Sequence, residues 1–446
     1  MSKVKSKAVW LGFILLLSAF TNYPVAAVPE IKDTNIIIIY AGTLLEVPGQ
    51  TVKTRQTVVI ENKNIQSIHD GYLSAQALQL KPTQIKIIDL KNLFVLPGLI
   101  DAHVHLLNRS DQKFRQLHIS DEEKLIYGVV NARLTLDAGF TTVADLDAVG
   151  HSWPLLVLRN AINAGNIPGP RVFAAGDSIS STGGHGDFLD NRDELLSNHN
   201  SPGLCDGPDE CRRAVRRQFR QGADLIKIMA SGGGGERTGG KHHAPSFTAD
   251  ELKAIVETAH SLDMKVTAHA HGTAGINAAL SAGVDSIEHA SFLDKQSVSL
   301  FKKTGAYLIA TLSTQDMIKA RVKSAPEKMK TRLNLYINEH PANIKMAYDR
   351  GVKLALGSDA GAVPHGNNVR EIEWLVQIGI SESEAIKIAT TQTAGHLGIS
   401  EYVGRLIPGM TADLIAVEGD PLKNISALRQ IRFVMKEGLT HKNSTR

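Results

Sequence analysis

Short apolar runs alternate with longer amphipathic stretches through the middle of the chain. The runs are FTTVADL, PRVFAAG, ADLIKIMAS, KVTAHAHG, DSIEHAS, AYLIATL and VKLALGSDAG, and each follows a helix-like segment that ends near a glycine. Strands separated by helices predict βα units and a parallel sheet. With LFVLPGLIDAHVH there are eight such strands, the count of a (β/α)8 TIM barrel. The alternative is an open doubly wound sheet, which is weakened by the absence of a G-x-G-x-x-G turn after an early strand.

Both ends of the chain have a different pattern, in which short strands are joined by Gly and Pro turns. The N-terminal strands are expected at Ile36 to Ile39, Thr57 to Glu61 and Ile85 to Leu90, and the C-terminal ones in GRLIPGMTADLIAVEGDP and IRFVMKEG. We therefore expect the two ends to pair in one small β-sandwich domain. The predicted boundaries are 28–96 and 405–446 for the β-sandwich and 97–404 for the barrel.

Residues 1–27 are predicted to be a cleaved secretory signal peptide. Lys3, Lys5 and Lys7 precede an apolar run, and the stretch Val25-Ala26-Ala27 offers the small residues that a signal peptidase needs. A retained membrane anchor is the alternative, but the run is shorter than the roughly 20 residues that span a bilayer. A periplasmic or secreted location is expected.

The charge balance does not indicate a nucleic-acid partner. The chain has 49 Lys and Arg against 45 Asp and Glu, and the signal would remove three lysines and no acidic residue. We expect a small-molecule or dipeptide substrate and no membrane association after signal cleavage. A homo-oligomer is compatible with the sequence.

The 446-residue chain contains two cysteines, Cys205 and Cys211, in the stretch GLCDGPDECRR. An exported protein meets an oxidising compartment, so a short-loop disulfide is one expectation. Two independent thiols are the other.

Candidate metal ligands stand at the ends of several predicted strands. Because side chains alternate along a strand, those of His103 and His105 share one face. Later strands end in Lys227, His269, His289 and Asp359. A single strand histidine is more often a core residue, but catalytic groups of a barrel gather at the carboxyl ends of its strands. Imidazole and carboxylate without thiolate suit zinc, and would accept manganese or cobalt.

Lys227 is unusual because DLIKIMAS places an ammonium group inside an apolar strand. Burying the charge is costly unless it is neutralised, paired or modified. Two readings are open. Lys227 pairs with an acid such as Asp359, or CO2 carbamylates its amine and makes a carboxylate that can bridge two metal ions.

The segments PGLIDAHVHL, GADLIKIMASGG, VTAHAHG, DSIEHAS, LGSDAG and GRLIPGMTADLIAV resemble the amidohydrolase superfamily. The resemblance is to its imidazolonepropionase-like branch, which includes exported metal-dependent prolidase-type dipeptidases acting on Xaa-Pro or Xaa-basic substrates. It implies a binuclear site, usually of zinc. One ion would take His103, His105 and Asp359, and the other His269 and His289. Lys227, carrying a CO2-derived carbamate, and a hydroxide would lie between them.

The implied reaction is hydrolysis of an amide bond, with a dipeptidase that releases a C-terminal amino acid as the first hypothesis. Two ions lower the pKa of the water between them, and Asp359 would carry its proton to the departing nitrogen. The alternatives within the superfamily are an aryl amidase, a lactamase and an organophosphate or ester hydrolase. A metal-binding receptor without turnover is a third hypothesis, against which the complete ligand set argues.

Substrate contacts are expected from the loops at the barrel mouth. His185 in STGGHGDF resembles a substrate-contacting family position, and a histidine that caps a glycine-rich turn is the alternative. The loop GGGGERTGGKHHAP offers Arg237, Lys241, His242 and His243 to a substrate carboxylate, which Arg237 could hold through a bidentate pair, and a solvated basic loop is the alternative. His365 lies near the mouth on the same argument. The motif AHAHG puts His271 on the same face as His269, and we assign His271 to substrate or to the surroundings of the metal.

Overall fold

The structure is a computed structural model that describes residues 36–80, 84–110, 119–146, 153–187, 203–233 and 244–445. The predicted signal peptide lies outside these ranges. Within them, none of the helices combines the length and apolarity that a membrane span requires.

Four strands form the N-terminal part, namely β1 (Ile36–Leu44), β2 (Lys53–Glu61), β3 (Asn64–Asp70) and β4 (Ile85–Pro97). Three of them contain the runs expected from the sequence, and β3 was not predicted. Its sequence NIQSIHD has too few apolar residues to indicate a strand. The pairing of Glu61 with Asn64 leaves a two-residue hairpin turn in which Asn62 has a φ of 55°.

The central part contains all eight predicted strands. They are β5 (Leu99–Val104), β6 (Phe140–Asp145), β7 (Arg171–Ala174), β8 (Ile226–Met229), β9 (Val266–Ala270), β10 (Ser286–His289), β11 (Tyr307–Ile309) and β12 (Leu354–Ala355). They form two parallel sheets, ordered β5-β6-β7 and β8-β9-β10-β11-β12. Backbone hydrogen bonds join the sheets at both junctions, from Ala102 N to Leu356 O at 2.8 Å and from Ile179 N to Lys227 O at 2.8 Å.

At least one helix lies between every two consecutive central strands, and further helices follow the last one. They are α1 (Asp121–Asp137), α2 (Trp153–Asn163), α3 (Pro208–Gln221), α4 (Ala249–His260), α5 (Thr273–Ala282), α6 (Lys295–Thr304), α7 (Thr314–Val322), α8 (Glu327–Asp349), α9 (Val369–Gln377), α10 (Glu382–Lys387) and α11 (Thr393–Leu397). A π-helical turn, Ile388–Gln392, joins the last two. Local sequence sets several ends. Helix α4 begins with a capping box between Thr248 and Glu251, and α3 ends at Gly222, whose φ is 92°.

The C-terminal strands β13 (Leu414–Val417), β14 (Ile431–Lys436) and β15 (Leu439–Asn443) join the N-terminal strands in one seven-stranded mixed sheet. A 3-10 helix, Ile425–Arg429, lies between the first two of them. The pairing of β4 with β13 connects the two ends of the chain, as the sequence indicated.

The two segments predicted to form one β-sandwich domain thus contribute to a single hydrogen-bonded sheet of seven strands. Backbone bonds from Ile65 N to Met410 O and from Ala412 N to Lys63 O, both 2.8 Å, attach the start of β3 to the segment before β13. The sheet therefore bends around an apolar core of its own, which includes Ile39, Val58 and Phe433.

The two cysteines form a disulfide between Cys205 and Cys211, with their Cα atoms 5.0 Å apart. The short-loop disulfide is thus the correct one of the two expectations. It ties the segment before α3 to the first turn of that helix.

Candidate active site

The predicted metal ligands converge at the carboxyl ends of the central strands. His103 and His105 stand at the end of β5, and Asp359 follows β12. The Nε2 atoms of His105 and His103 lie 3.2 and 3.8 Å from Asp359 Oδ1. His289, at the end of β10, completes a group with His103 and Asp359 in which the three potential ligand atoms lie within 4.8 Å of one another.

A second group of nitrogens lies beside the first, and His289 belongs to both. His269, His271 and His289 each offer a ligand atom within 4.8 Å of the other two. The structure thus brings His271 as near as His269. The Nδ1 of His271 is 2.8 Å from Ser291 Oγ, whereas the buried Nε2 of His269 has no hydrogen-bond partner among the described residues. A buried imidazole nitrogen without a partner is available to a metal ion.

Lys227 lies in β8 with only 1% of its surface exposed, as the sequence indicated. Burial lowers the pKa of His103, and the charge of Lys227 lowers it further, against the opposing effect of Glu288. Burial and then the positive charge of neighbouring groups, Lys227 among them, lower the pKa of His269 and His289 well below the ordinary value. These imidazoles are therefore neutral at neutral pH, the form that binds metal.

Side chains that the sequence analysis did not single out orient two of these imidazoles. The Nδ1 of His103 donates to Glu288 Oε2 at 2.7 Å, and Thr311 Oγ1 lies 2.7 Å from the Nδ1 of His289. In each case the hydrogen bond occupies Nδ1 and leaves Nε2 for a metal. Glu288 belongs to the motif DSIEHAS beside His289, and this position is the one signal that could have identified it.

The loop that carries Asp359 is fastened to β5 by buried groups. Asp359 N donates to His103 O at 2.8 Å, and the carboxylate of Asp101 accepts from Ser358 N at 3.0 Å and from Asn368 Nδ2 at 2.8 Å. Burial raises the pKa of Asp101 to about 6, although these hydrogen bonds oppose the shift. Asp359 itself adopts a φ of 58°. The local backbone is thus held in a conformation that a non-glycine residue rarely adopts.

The predicted substrate contacts have different outcomes. The ring of His185 stacks on that of His269 with centroids 4.3 Å apart, which places it beside a predicted metal ligand. His365 lies close to His105, but both of its nitrogens face protein, Nε2 at 3.1 Å from His105 O and Nδ1 at 3.4 Å from Thr135 Oγ1. Arg237, with Lys241, His242 and His243, lies outside the described residues.

The predicted ligands are the Asp359 carboxylate, the buried Lys227 and the imidazoles of His103, His105, His269 and His289. This donor set contains no thiolate and fits divalent metal ions such as zinc. The Amidohydrolase family model matches residues 94–440, which include all of them. The chain belongs to the amidohydrolase family.

The chain is similar over most of its length to one characterised relative and to solved structures. The chain is 33% identical to an ochratoxinase of Aspergillus niger over 428 residues, 90% of this chain and 85% of the relative. It superposes on the crystal structure of a Xaa-Pro dipeptidase with bound methionine in the active site, with a TM-score of 0.83, 34% identity and coverage of 92% of this chain and 100% of the other. A prolidase complexed with N-methylphosphonate-L-proline gives a TM-score of 0.81 at 27% identity, with coverage of 92% and 100%. The protein is therefore a hydrolase that acts on C–N bonds.

Proposed function

We propose that this amidohydrolase is a binuclear metallodipeptidase that releases a C-terminal amino acid. The observation that carries the proposal is the cluster of His103, His105, His269, His289 and Asp359 beside a buried Lys227. The similarity to a Xaa-Pro dipeptidase and to a prolidase with a proline-based ligand supports a substrate with a free C-terminal residue. We also infer that the eight parallel strands close into a barrel, since hydrogen bonds join the two sheets at both junctions.

The residues have distinct roles in this proposal. His103, His105 and Asp359 would hold one ion, His269 and His289 the other, and a carbamate on Lys227 would lie between them. When bound, the ions would lower the pKa of a water between them and polarise the carbonyl of the substrate. Asp359 would accept a proton from the attacking water and deliver it to the departing nitrogen. His185, stacked on His269, contacts the substrate.

The binuclear arrangement is tested by replacing Lys227 with alanine. Without the carbamate, we expect the protein to lose both metal and activity, and short-chain carboxylic acids to restore part of the activity. Metal content per chain and the native mass of the wild type, which should include CO2, are the measurements. Full activity of Lys227→Ala without added acid would falsify the bridging role.

The substrate class is tested by comparing dipeptides with their C-terminal amides. A terminal carboxylate held by a desolvated cation is worth roughly 1.5 to 3 kcal/mol, so the amides should react on the order of 10 to 100-fold more slowly in kcat/KM. Arg237→Ala should erase this preference if Arg237 is the anchor. Equal rates on acid and amide would argue against a dipeptidase.

A second candidate is hydrolysis of an aryl amide, and the similarity to the ochratoxinase favours it. Assays with ochratoxin and with a Xaa-Pro dipeptide library on the same preparation separate the two candidates. The dipeptidase is supported when amino acid release from dipeptides has the larger kcat/KM.

A further inference from the structure

Helix α8 places three polar or aromatic side chains against the turn that follows β10. Tyr336, His340 and Asn343 are four and three residues apart, a spacing that puts them on one face of the helix. Tyr336 and His340 are buried, and their ring centroids are 4.8 Å apart. None of the three belongs to the groups of potential metal ligands among the described residues, although the ring of Tyr336 contacts that of His271, with centroids 5.7 Å apart.

The turn after β10 has an uncommon backbone. His289 has a φ of 69° and Ala290 a φ of 48°, so two successive non-glycine residues lie in the left-handed region. Side chains rarely adopt this conformation unless their surroundings hold it. The direction of the His289 imidazole depends on this backbone conformation, because His289 is itself one of the two residues in the turn.

Two hydrogen bonds from α8 hold this turn, one at the carbonyl of His289 and one at that of Ser291, the residue after Ala290. His340 Nε2 lies 2.9 Å from His289 O, and Asn343 Nδ2 donates to Ser291 O at 2.8 Å. A carbonyl oxygen only accepts, so Nε2 of His340 carries the hydrogen. Gln315 Nε2, in α7, lies 3.1 Å from the other ring nitrogen, Nδ1, and fixes this tautomer.

We propose that His340 and Asn343 are positioning residues that hold the His289–Ser291 turn in its left-handed conformation and so aim the His289 imidazole at the metal site. Ser291 Oγ in the same turn lies 2.8 Å from His271 Nδ1. The hydrogen bonds from α8 therefore also help to orient a second imidazole, that of His271. Gln315 acts one step further away by orienting His340. The inference rests on the proposed metal site and goes beyond it, because it assigns a role to residues outside the proposed ligand set.

The test is titration of the metal-free full chain with Zn²⁺ by calorimetry. His340→Phe keeps a ring but loses the donor, and we expect about 10 to 100-fold weaker Zn²⁺ binding. His340→Gln retains an amide donor and should stay near the wild type. Asn343→Leu removes the second donor and should also weaken binding. Ile344→Val, on the same helix and fully buried in the apolar core, is the control for a loss of packing alone.

A second-site change distinguishes positioning from general stability. Glycine adopts a positive φ without a steric penalty, so Ala290→Gly in the His340→Phe background should restore most of the Zn²⁺ affinity. The proposal is overturned if the double variant binds as weakly as His340→Phe, or if His340→Phe binds as tightly as Ile344→Val. Because the titration needs no substrate, its outcome is independent of whether dipeptides are hydrolysed.

Discussion

At the scale of single residues, the site depends on carboxylates whose environments differ. Glu288 is fully buried, and burial raises its pKa, but the hydrogen bond from His103 and the nearby charges outweigh burial and lower it. It is therefore ionised and can orient His103. Glu371, in α9, accepts from Ser313 N at 2.6 Å, and burial raises its pKa to about 8. Glu371 is therefore protonated at neutral pH and holds the loop after β11 through its hydrogen bond from Ser313 N.

The raised pKa of Glu371 predicts how the stability of the metal-free protein varies with pH. Between its unfolded pKa of about 4.5 and its folded pKa of about 8, Glu371 keeps a proton in the folded state that it loses in the unfolded state. The contribution of Glu371 to the free energy of unfolding therefore falls as pH rises through that window. Glu371→Gln should flatten the decline, which is at most roughly 1.4 kcal/mol per pH unit. Thermal unfolding in chelator between pH 5 and 8 measures it.

Glu373→Gln is the matched control, two residues along the same helix. Burial raises the pKa of Glu373, but Arg429 and Arg370 outweigh burial and lower it. The contribution of Glu373 to the free energy of unfolding is therefore present at neutral pH and is lost as pH falls through the lowered pKa. The control should therefore change stability at neutral pH and approach the wild type in acid. Parallel pH profiles for Glu371→Gln and the wild type would contradict the prediction for Glu371.

The residue types of the site could be predicted from the sequence because they stand at strand ends. Each predicted ligand stands at or just after an apolar run whose length and period predict a strand, as at His103, His269, His289 and Asp359. The groups that orient them could not be predicted. Thr311 and His340 reach His289 from later elements, and no local pattern indicates contacts across so many residues.

At the scale of elements, the disulfide connects to the loop that carries His185. Cys205 N donates to Ser180 O at 3.0 Å, Ser180 N donates to Gly203 O at 3.1 Å, and Thr182 Oγ1 donates to Asp206 Oδ2 at 2.6 Å. The segment fastened by the disulfide thus holds the start of the loop whose His185 stacks on His269.

Replacing Cys205 and Cys211 together by serine should loosen this loop. Closing so short a loop contributes roughly 2 to 3 kcal/mol, which denaturant unfolding would measure. We further expect KM to rise, since His185 would lose its fixed place, while metal content stays at the wild-type level. Loss of metal in the double variant would show instead that the disulfide supports the ligands themselves.

At the β-rich ends of the chain, the hydrophobic pattern predicts some strands and misses another. The strands β1, β2 and β4 contain apolar runs that predict them, whereas the sequence of β3, NIQSIHD, has too few apolar residues to predict a strand. The attachment of β3 to the segment before β13 could not be predicted either, because the hydrogen bonds of Ile65 and Ala412 that make it join parts of the chain that are far apart in sequence.

At the scale of the whole molecule, the central strands and the mixed sheet are joined by a partly buried ion cluster. Arg171, at the start of β7, donates to Asp413 Oδ2 and to Glu437 Oε1, both at 2.8 Å. Asp413 precedes β13 and is 3% exposed, and Glu437 follows β14. The cluster lies at the amino end of β7, whereas the candidate metal ligands cluster at the carboxyl ends of other central strands.

Arg171→Met should therefore separate stability from catalysis. The variant leaves the Asp413 carboxylate buried without its cation, which costs roughly 3 kcal/mol or more. Arg432→Met is the control, because it breaks the exposed pair of Arg432 with Glu418, worth about 0 to 1 kcal/mol. Denaturant midpoints should fall much further for Arg171→Met, while kcat and metal content at low temperature stay at the wild-type level in both variants. A large fall in kcat for Arg171→Met alone would mean that the mixed sheet also sets the geometry of the site.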